Sequence, residues 1–154
     1  TTKRNRPTSS PLSERDRALR WALRALGRRE YLPEELRQRL LARGFEESVV
    51  AEAIQTLIDQ RLLSETRAVA AIVASKSGKR AIGREALREE LLKKGLDDSQ
   101  LAVADRSDED ERAIMLSLIE KLDDRGRAAR LLARRGFDEE LIGSVLDQRY
   151  GEAD

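Results

Sequence analysis

Leucine and alanine recur along this chain at spacings of three and four, interrupted by glycine rather than by proline, and the pattern predicts helices almost throughout. One unit occurs three times, as EELRQRLLARGFEES from Glu34, REALREELLKKGLDDS from Arg84 and RGRAARLLARRGFDEE from Arg125. Each copy reads as a basic amphipathic helix, a glycine stop, one apolar residue, and acidic residues that open the next helix. The glycines are Gly44, Gly95 and Gly136, placed where a helix ends in a left-handed residue. Phe45, Leu96 and Phe137 supply the apolar residue that folds back on each turn. Leu36, Leu40 and Leu41 form the stripe of the first copy, and Leu87, Leu91 and Leu92 match them position for position. Leu131 and Leu132 continue the pattern in the third, with Ala128 where the others place leucine.

Helices flank each copy. Ser13 is a candidate cap for a first helix with Ala18, Leu19, Ala22, Leu23 and Leu26 on its apolar side, ended by Gly27. Pro33 suits the first position of the next helix, and Glu46 and Glu47 open a third lined by Val49, Val50, Ala53, Ile54 and Leu57. The second set has Val69, Ile72 and Val73 on its first helix and a short last helix over 98–105. The third has Ala113, Ile114, Leu118, Ile119 and Leu122, then Leu141, Ile142, Val145 and Leu146. The expectation is an all-α, elongated tandem array of three three-helix modules with right-angled packing and no sheet, about nine short helices in all. Boundaries fall at 13–63, 64–106 and 107–150, after a disordered basic arm over 1–12 and before a tail over 151–154. Short leucine-striped helices are stable mainly by leaning on neighbours, as stacked repeats do.

Composition narrows the function more than the fold. Aromatics are only 3%, so the core is aliphatic, and 38% of residues are charged, which thin helical modules accommodate on wide solvated faces. With no cysteine and no histidine, disulfides, thiolate zinc sites, cysteine nucleophiles and Ser-His-Asp triads are excluded. Carboxylates cluster at helix starts, where the helix dipole accounts for them, and the run SDEDE from Ser107 lacks the spacing of a calcium loop. No enzyme, metal or cofactor is expected. Nor does any apolar run approach the roughly 20 residues that span a bilayer, so the expectation is a soluble cytoplasmic monomer.

The net charge of +1 hides a gradient: residues 1–11 carry +3, 12–63 carry +1, 64–107 carry +2 and 108–154 carry −5. Two basic clusters stand out in the amino-terminal two thirds. Arg17, Arg20, Arg24 and Arg28, spaced by three or four, share one helix face and Arg29 extends that cluster, while Lys76, Lys79, Arg80, Arg84 and Arg88 crowd the glycine-punctuated segment SKSGKRAIG and the helix after it. Guanidinium groups suit carboxylate or phosphate partners. A solvated face balanced by nearby acids is the bland alternative for any one of them. Trp21 and Tyr31 could stack on a base, but packing between helices is the commoner fate.

The stretch LRALGRREYLPEELRQRLLARGF, from Leu23 to Phe45, resembles the opening repeat of the RecX family of recombinase regulators through Arg28, Arg29, Glu30, Tyr31, Glu35, Leu36, Leu40, Arg43 and Gly44. RLLSETRAVA, from Arg61, resembles that family's repeat junction through Leu62, Leu63, Glu65, Arg67 and Ala70, with Arg61 in place of a glycine and Ala68 in place of an aromatic. EELLKKGL, from Glu89, resembles the second-repeat stop. The resemblance implies tandem three-helix repeats that bind the RecA recombinase filament along its groove. It also implies restraint of the filament's ATPase, strand-exchange and co-protease activities, and so of recombination, repair and the SOS response, with direct contact to DNA in some members. The competing readings are a DNA-binding helical module, which the near-neutral charge disfavours, and a generic helical scaffold for another protein.

Overall fold

The structure, a computed structural model, describes residues 12–152. The expected arm up to residue 11 and the last two residues of the tail lie outside them. Among the described residues there are nine α-helices and no strand: α1 (Glu14–Leu26), α2 (Pro33–Ala42), α3 (Glu47–Asp59), α4 (Glu65–Ser75), α5 (Arg84–Lys93), α6 (Asp98–Leu101), α7 (Asp108–Ile119), α8 (Arg125–Arg134) and α9 (Glu139–Tyr150). Short 3-10 turns follow α4 (Gly78–Arg80) and α6 (Ala102–Ala104). The chain divides into two compact units, one ending at Ala68 and one starting at Val69.

Helix ends explain the repeat. At Gly44, Gly95 and Gly136 φ is +93°, +82° and +77°. In each case the glycine N–H donates three residues back and the next N–H five residues back: Gly44 to Leu41 and Phe45 to Leu40, Gly95 to Leu92 and Leu96 to Leu91, Gly136 to Ala133 and Phe137 to Leu132. This double bond to the last turn satisfies carbonyls that would otherwise be orphaned and swings the following apolar residue back onto the helix. α3 ends in the same way without glycine. Arg61 N–H reaches Ile58, Leu62 N–H reaches Leu57, and Arg61 itself sits at φ +59°.

Helix starts are capped as the acids and serines suggest. Ser13 accepts from the Asp16 N–H, Asp124 from Arg127 and Asp138 from Leu141. Asp97 with Gln100, and Ser107 with Asp110, form reciprocal boxes. The run SDEDE is therefore a capped helix start. Pro33 takes the first turn of α2. α3 lacks a cap from its own side chain, and the Glu14 carboxylate at the start of α1 accepts the Glu46 N–H instead (2.9 Å).

In the first unit α1, α2 and α3 enclose one core of Ala18, Ala22, Ala25, Tyr31, Leu36, Leu40, Val50, Ala53, Ile54, Leu57 and Leu63. Alanines at 18, 22 and 25 let α1 approach its neighbours closely. In the second unit, Met115, Ile119, Ala128, Leu132, Phe137, Leu141, Ile142, Val145 and Leu146 unite α7, α8 and α9. Leu87, Leu91, Leu96 and Leu101 are buried on and after α5.

Three apolar assignments change. Leu23 and Leu92 are solvent-facing, at 47% and 50% exposure, because Ala22 and Leu91 one residue earlier take the inward positions. The inward face of α7 is Glu111, Met115 and Ile119, whereas Ala113 is exposed. Strict four-residue spacing selects that face, with an acid at its head.

Candidate partner-binding surface

The first basic cluster lies in the first unit. Arg20 and Arg24 lie one turn apart on α1, Arg28 follows in the turn after it, and all three are exposed. None of the three forms an ion pair with a carboxylate among the described residues. Arg29 differs. Its guanidinium grips both Glu35 oxygens (3.1 and 3.0 Å) and lies 3.7 Å from the centroid of the Tyr31 ring. The pairing with Glu35 raises its pKa further. Arg39 approaches Tyr31 at 5.4 Å, so the buried ring is roofed by cations. Tyr31 is thus a packing residue, and Arg29 and Glu35 hold the turn between α1 and α2. Trp21 is half-buried beside that core, with the Arg43 guanidinium 5.0 Å from its ring.

The second cluster lies in the second unit and is tied down more heavily. Lys76 pairs with Glu90 (3.5 Å) and Arg88 loosely with Asp105 (3.8 Å). Arg84 is a strut: its guanidinium bonds Asp108 and the Arg106 carbonyl, and its backbone N–H donates to Glu111 (3.0 Å). The Asp108 hydrogen bond raises the Arg84 pKa. Lys79 and Arg80 remain exposed and without a carboxylate partner among the described residues. They are presented by the Gly78–Arg80 turn, which Arg135 clamps by donating to the carbonyls of Lys79 (2.8 Å) and Ala81 (2.9 Å). Of nine basic residues in the two clusters, five therefore offer a free charge: Arg20, Arg24 and Arg28 in one unit, Lys79 and Arg80 in the other. Arg29, Lys76, Arg84 and Arg88 hold the scaffold that presents them.

Beneath Arg84 lies a feature that the charge pattern concealed. Glu111 is 1% exposed, and its Oε1 stands 2.7 Å from Arg106 Nε, while Arg106 donates to the Ile82 carbonyl (2.6 Å). A buried carboxylate normally signals either chemistry or structural locking. Here every partner belongs to the α5 or α7 starts and the segment between α6 and α7, so the pair is a lock. No group of acids among the described residues is arranged to hold a metal ion. No helix among them is long and apolar enough to cross a membrane. The geometry offers open cationic surfaces and suits binding to an anionic partner.

Comparison with known proteins bears on which partner. The family model described as RecX, first three-helix domain, matches residues 18–57, the span of α1 to α3 that carries the Arg20–Arg29 row. The regulatory protein RecX of Mycobacterium sp. (strain KMS) is 34% identical over 156 residues, covering 91% of this chain and 85% of that protein. The regulatory protein RecX of Xanthomonas citri is 35% identical over 127 residues, covering 76% and 78%. In fold, the chain is similar to the crystal structure of RecX from Lactobacillus salivarius, with a TM-score of 0.70 at 21% identity over 88% of this chain and 96% of that one.

Proposed function

The chain belongs to the RecX family of regulatory proteins, and we propose that it binds a RecA-type recombinase filament along its groove and restrains ATP hydrolysis, strand exchange and co-protease action. Through the filament it moderates recombination, repair and the SOS response. It does so as a cytoplasmic monomer that catalyses nothing itself. The observation that carries this reading is the row formed by Arg20 and Arg24 on α1 and Arg28 in the turn after it, exposed and without an ion-pair partner among the described residues, within the span that the family model matches. Lys79 and Arg80 add a second point of contact from the other unit. Weak contacts on two units joined in one chain reinforce one another through effective concentration, which favours a repeating partner such as a filament.

Recombinase ATPase on single-stranded DNA, titrated with this protein, tests the proposal. The expected result is saturable inhibition by the unmodified chain and its loss in the charge-reversed variant Arg24→Glu/Arg28→Glu/Lys79→Glu/Arg80→Glu. Undiminished inhibition by that variant removes these residues from the contact. No inhibition by either protein removes the filament as partner. The same free guanidiniums also suit phosphates, so the assay is paired with DNA titration in the absence of recombinase. Tight binding there, with a steep dependence on salt, favours DNA as the primary ligand.

A further inference from the structure

A third set of exposed cations sits far along the chain from the two clusters above. α8 places Arg127, Arg130 and Arg134 one and two turns apart, all exposed and none paired with a carboxylate among the described residues. They border an open groove whose other lining residues are Leu122, Leu131 and Ala133. The groove is firmly built. The Leu122 carbonyl accepts from the Tyr150 hydroxyl (2.6 Å) and from Arg149 (3.4 Å), which fixes one wall against α9. Leu131 is half-buried against the α7–α9 core, so its outer surface is a fixed apolar floor. At the foot of the helix the Asp124 carboxylate accepts the Arg127 N–H (3.0 Å) and also feels the Arg130 and Arg127 charges, so Arg134 is the least compensated of the three. Gly126 leaves the Arg130 side chain room to lie close over the first turn.

We propose that this groove docks a short acidic segment of a protein partner, with one aliphatic or aromatic side chain seated on Leu122 and Leu131 and flanking carboxylates on the three arginines. Arg127 to Arg134 spans about 10 Å along the helix axis at 1.5 Å per residue. Three residues of an extended peptide cover about the same distance at 3.3 Å each, so carboxylates three apart reach both ends of the row. Arg–carboxylate pairs supply direction, and the apolar floor supplies a desolvated centre of the kind that anchors interfaces. Nucleic acid fits less well. Acids surround the row, with Glu120, Asp123 and Asp124 before it and Asp138, Glu139 and Glu140 after it. A polyphosphate backbone carries its charge on past both ends of the row toward these acids, whereas a short segment meets only Asp124, whose carboxylate is already engaged by the Arg127 N–H. The proposal does not rest on the filament reading.

Fluorescence anisotropy with the full chain tests it. The probe is a labelled peptide carrying two acidic residues on each side of a single leucine, beside a copy with serine for leucine and a labelled single-stranded oligonucleotide. The expected result is salt-sensitive binding of the leucine peptide, about ten-fold weaker for the serine copy and for Arg130→Glu/Arg134→Glu, with oligonucleotide binding unchanged by that variant. Both substitutions are at exposed positions, and an unaltered circular-dichroism melt shows that the fold persists. Equal binding of the leucine peptide by the variant overturns the proposal. So does equal binding of both peptides, which makes the groove a mere counter-charge, and so does loss of oligonucleotide rather than peptide binding, which makes it a nucleic-acid site.

Discussion

The backbone of Gly83 lies directly against the backbone of Gly136. The Gly83 N–H donates to the Arg135 carbonyl (2.8 Å), and a Cβ on Gly83 would run into the Gly136 carbonyl and come within 2.9 Å of the Phe137 Cα. Both obstacles are main chain and cannot step aside. Gly83 has an ordinary φ of −61°, so what it supplies is space rather than conformational freedom. Gly83→Ala is therefore expected to cost about 1–3 kcal/mol, as overpacking does, read as a lowered melting temperature. Gly143, in the interior of α9 with open space around its Cα, makes the opposite control. Gly143→Ala is expected to gain up to about 1 kcal/mol. Equal melts for the two variants would refute this account of the junction.

Glu111 and Arg106 are expected to behave as a coupled pair. Removing one partner strands a charge in a nearly dry site, which costs about 3–5 kcal/mol. Replacing both with apolar residues of similar size removes the stranded charge and recovers much of that. Urea unfolding of Glu111→Leu, Arg106→Met and the double variant gives the coupling energy directly. Simple additivity of the single losses would mean the two groups do not depend on one another.

What the sequence made legible, and what it hid, divides along local and distant interactions. The three glycine stops, the caps at Ser13, Ser107 and Asp138, and the stripe of α9 depend on neighbours within a turn or two, and period and residue type declare them. Leu23 and Leu92 are solvent-facing because adjacent apolar residues, Ala22 and Leu91, leave the choice of inward face to a tertiary partner. Glu111 sits in a run of four acids, three of which are solvated, and nothing local marks the fourth as buried. The approach of Gly83 to Gly136 joins segments distant in sequence. In the candidate site, the spacing of Arg20 and Arg24 places them one turn apart on α1, with Arg28 exposed in the turn after it. The capture of Arg29 and Arg84 by Glu35 and Asp108 could not be read without the turns that bring them together. The α8 row was legible in its spacing and masked by the −5 charge of the surrounding segment.

Arg61 supplies a strain test. It occupies the left-handed position that Gly44, Gly95 and Gly136 fill elsewhere, with the same pair of hydrogen bonds around it. A side chain in that conformation costs about 1–2 kcal/mol. Arg61→Gly is expected to stabilise by somewhat less, about 1 kcal/mol, since glycine also gains freedom in the unfolded chain. The Arg61 contact that matters to Arg67 is a main-chain carbonyl (2.9 Å) and survives the change. A lower denaturation midpoint for the glycine variant would show that the Arg61 side chain contributes more than its backbone costs.

Acid titration isolates another local contact. Arg37 donates twice to the Glu34 carboxylate (2.8 and 2.7 Å) and Gln38 donates once (3.0 Å), which together hold its pKa down to about 2, from an ordinary 4.5. A carboxylate depressed in the folded state stabilises fully above its unfolded pKa. It loses that contribution as pH falls through the folded value, so the window runs from 4.5 down to about 2. The side chain is 59% exposed, and solvent screening limits the contribution to about 1 kcal/mol or less. The gap in stability between the unmodified chain and Glu34→Gln is expected to be small at neutral pH and to close across that window. A gap that widens on acidification would reverse the sign of the argument.

The last prediction separates scaffold from contact within one basic cluster. Arg29 is held by Glu35 and stacked on Tyr31, whereas Arg24 and Arg28 have no carboxylate partner among the described residues. Arg29→Met removes a bidentate pair and a ring contact. It is expected to cost about 1–2 kcal/mol of stability, the sum of a partly exposed pair and a cation–π contact. Arg24→Gln and Arg28→Gln should leave unfolding within about 0.5 kcal/mol of the unmodified chain, as exposed substitutions do. Recombinase ATPase inhibition should rank the other way, weakened most when Arg24 and Arg28 are neutralised together. Trp21, the single tryptophan, lies on the same helix beside this row, and a change in its fluorescence is the expected signal of the proposed filament binding. If Arg24→Gln/Arg28→Gln melts early and inhibits normally, while Arg29→Met melts normally and fails to inhibit, the assignment of roles within the cluster is inverted.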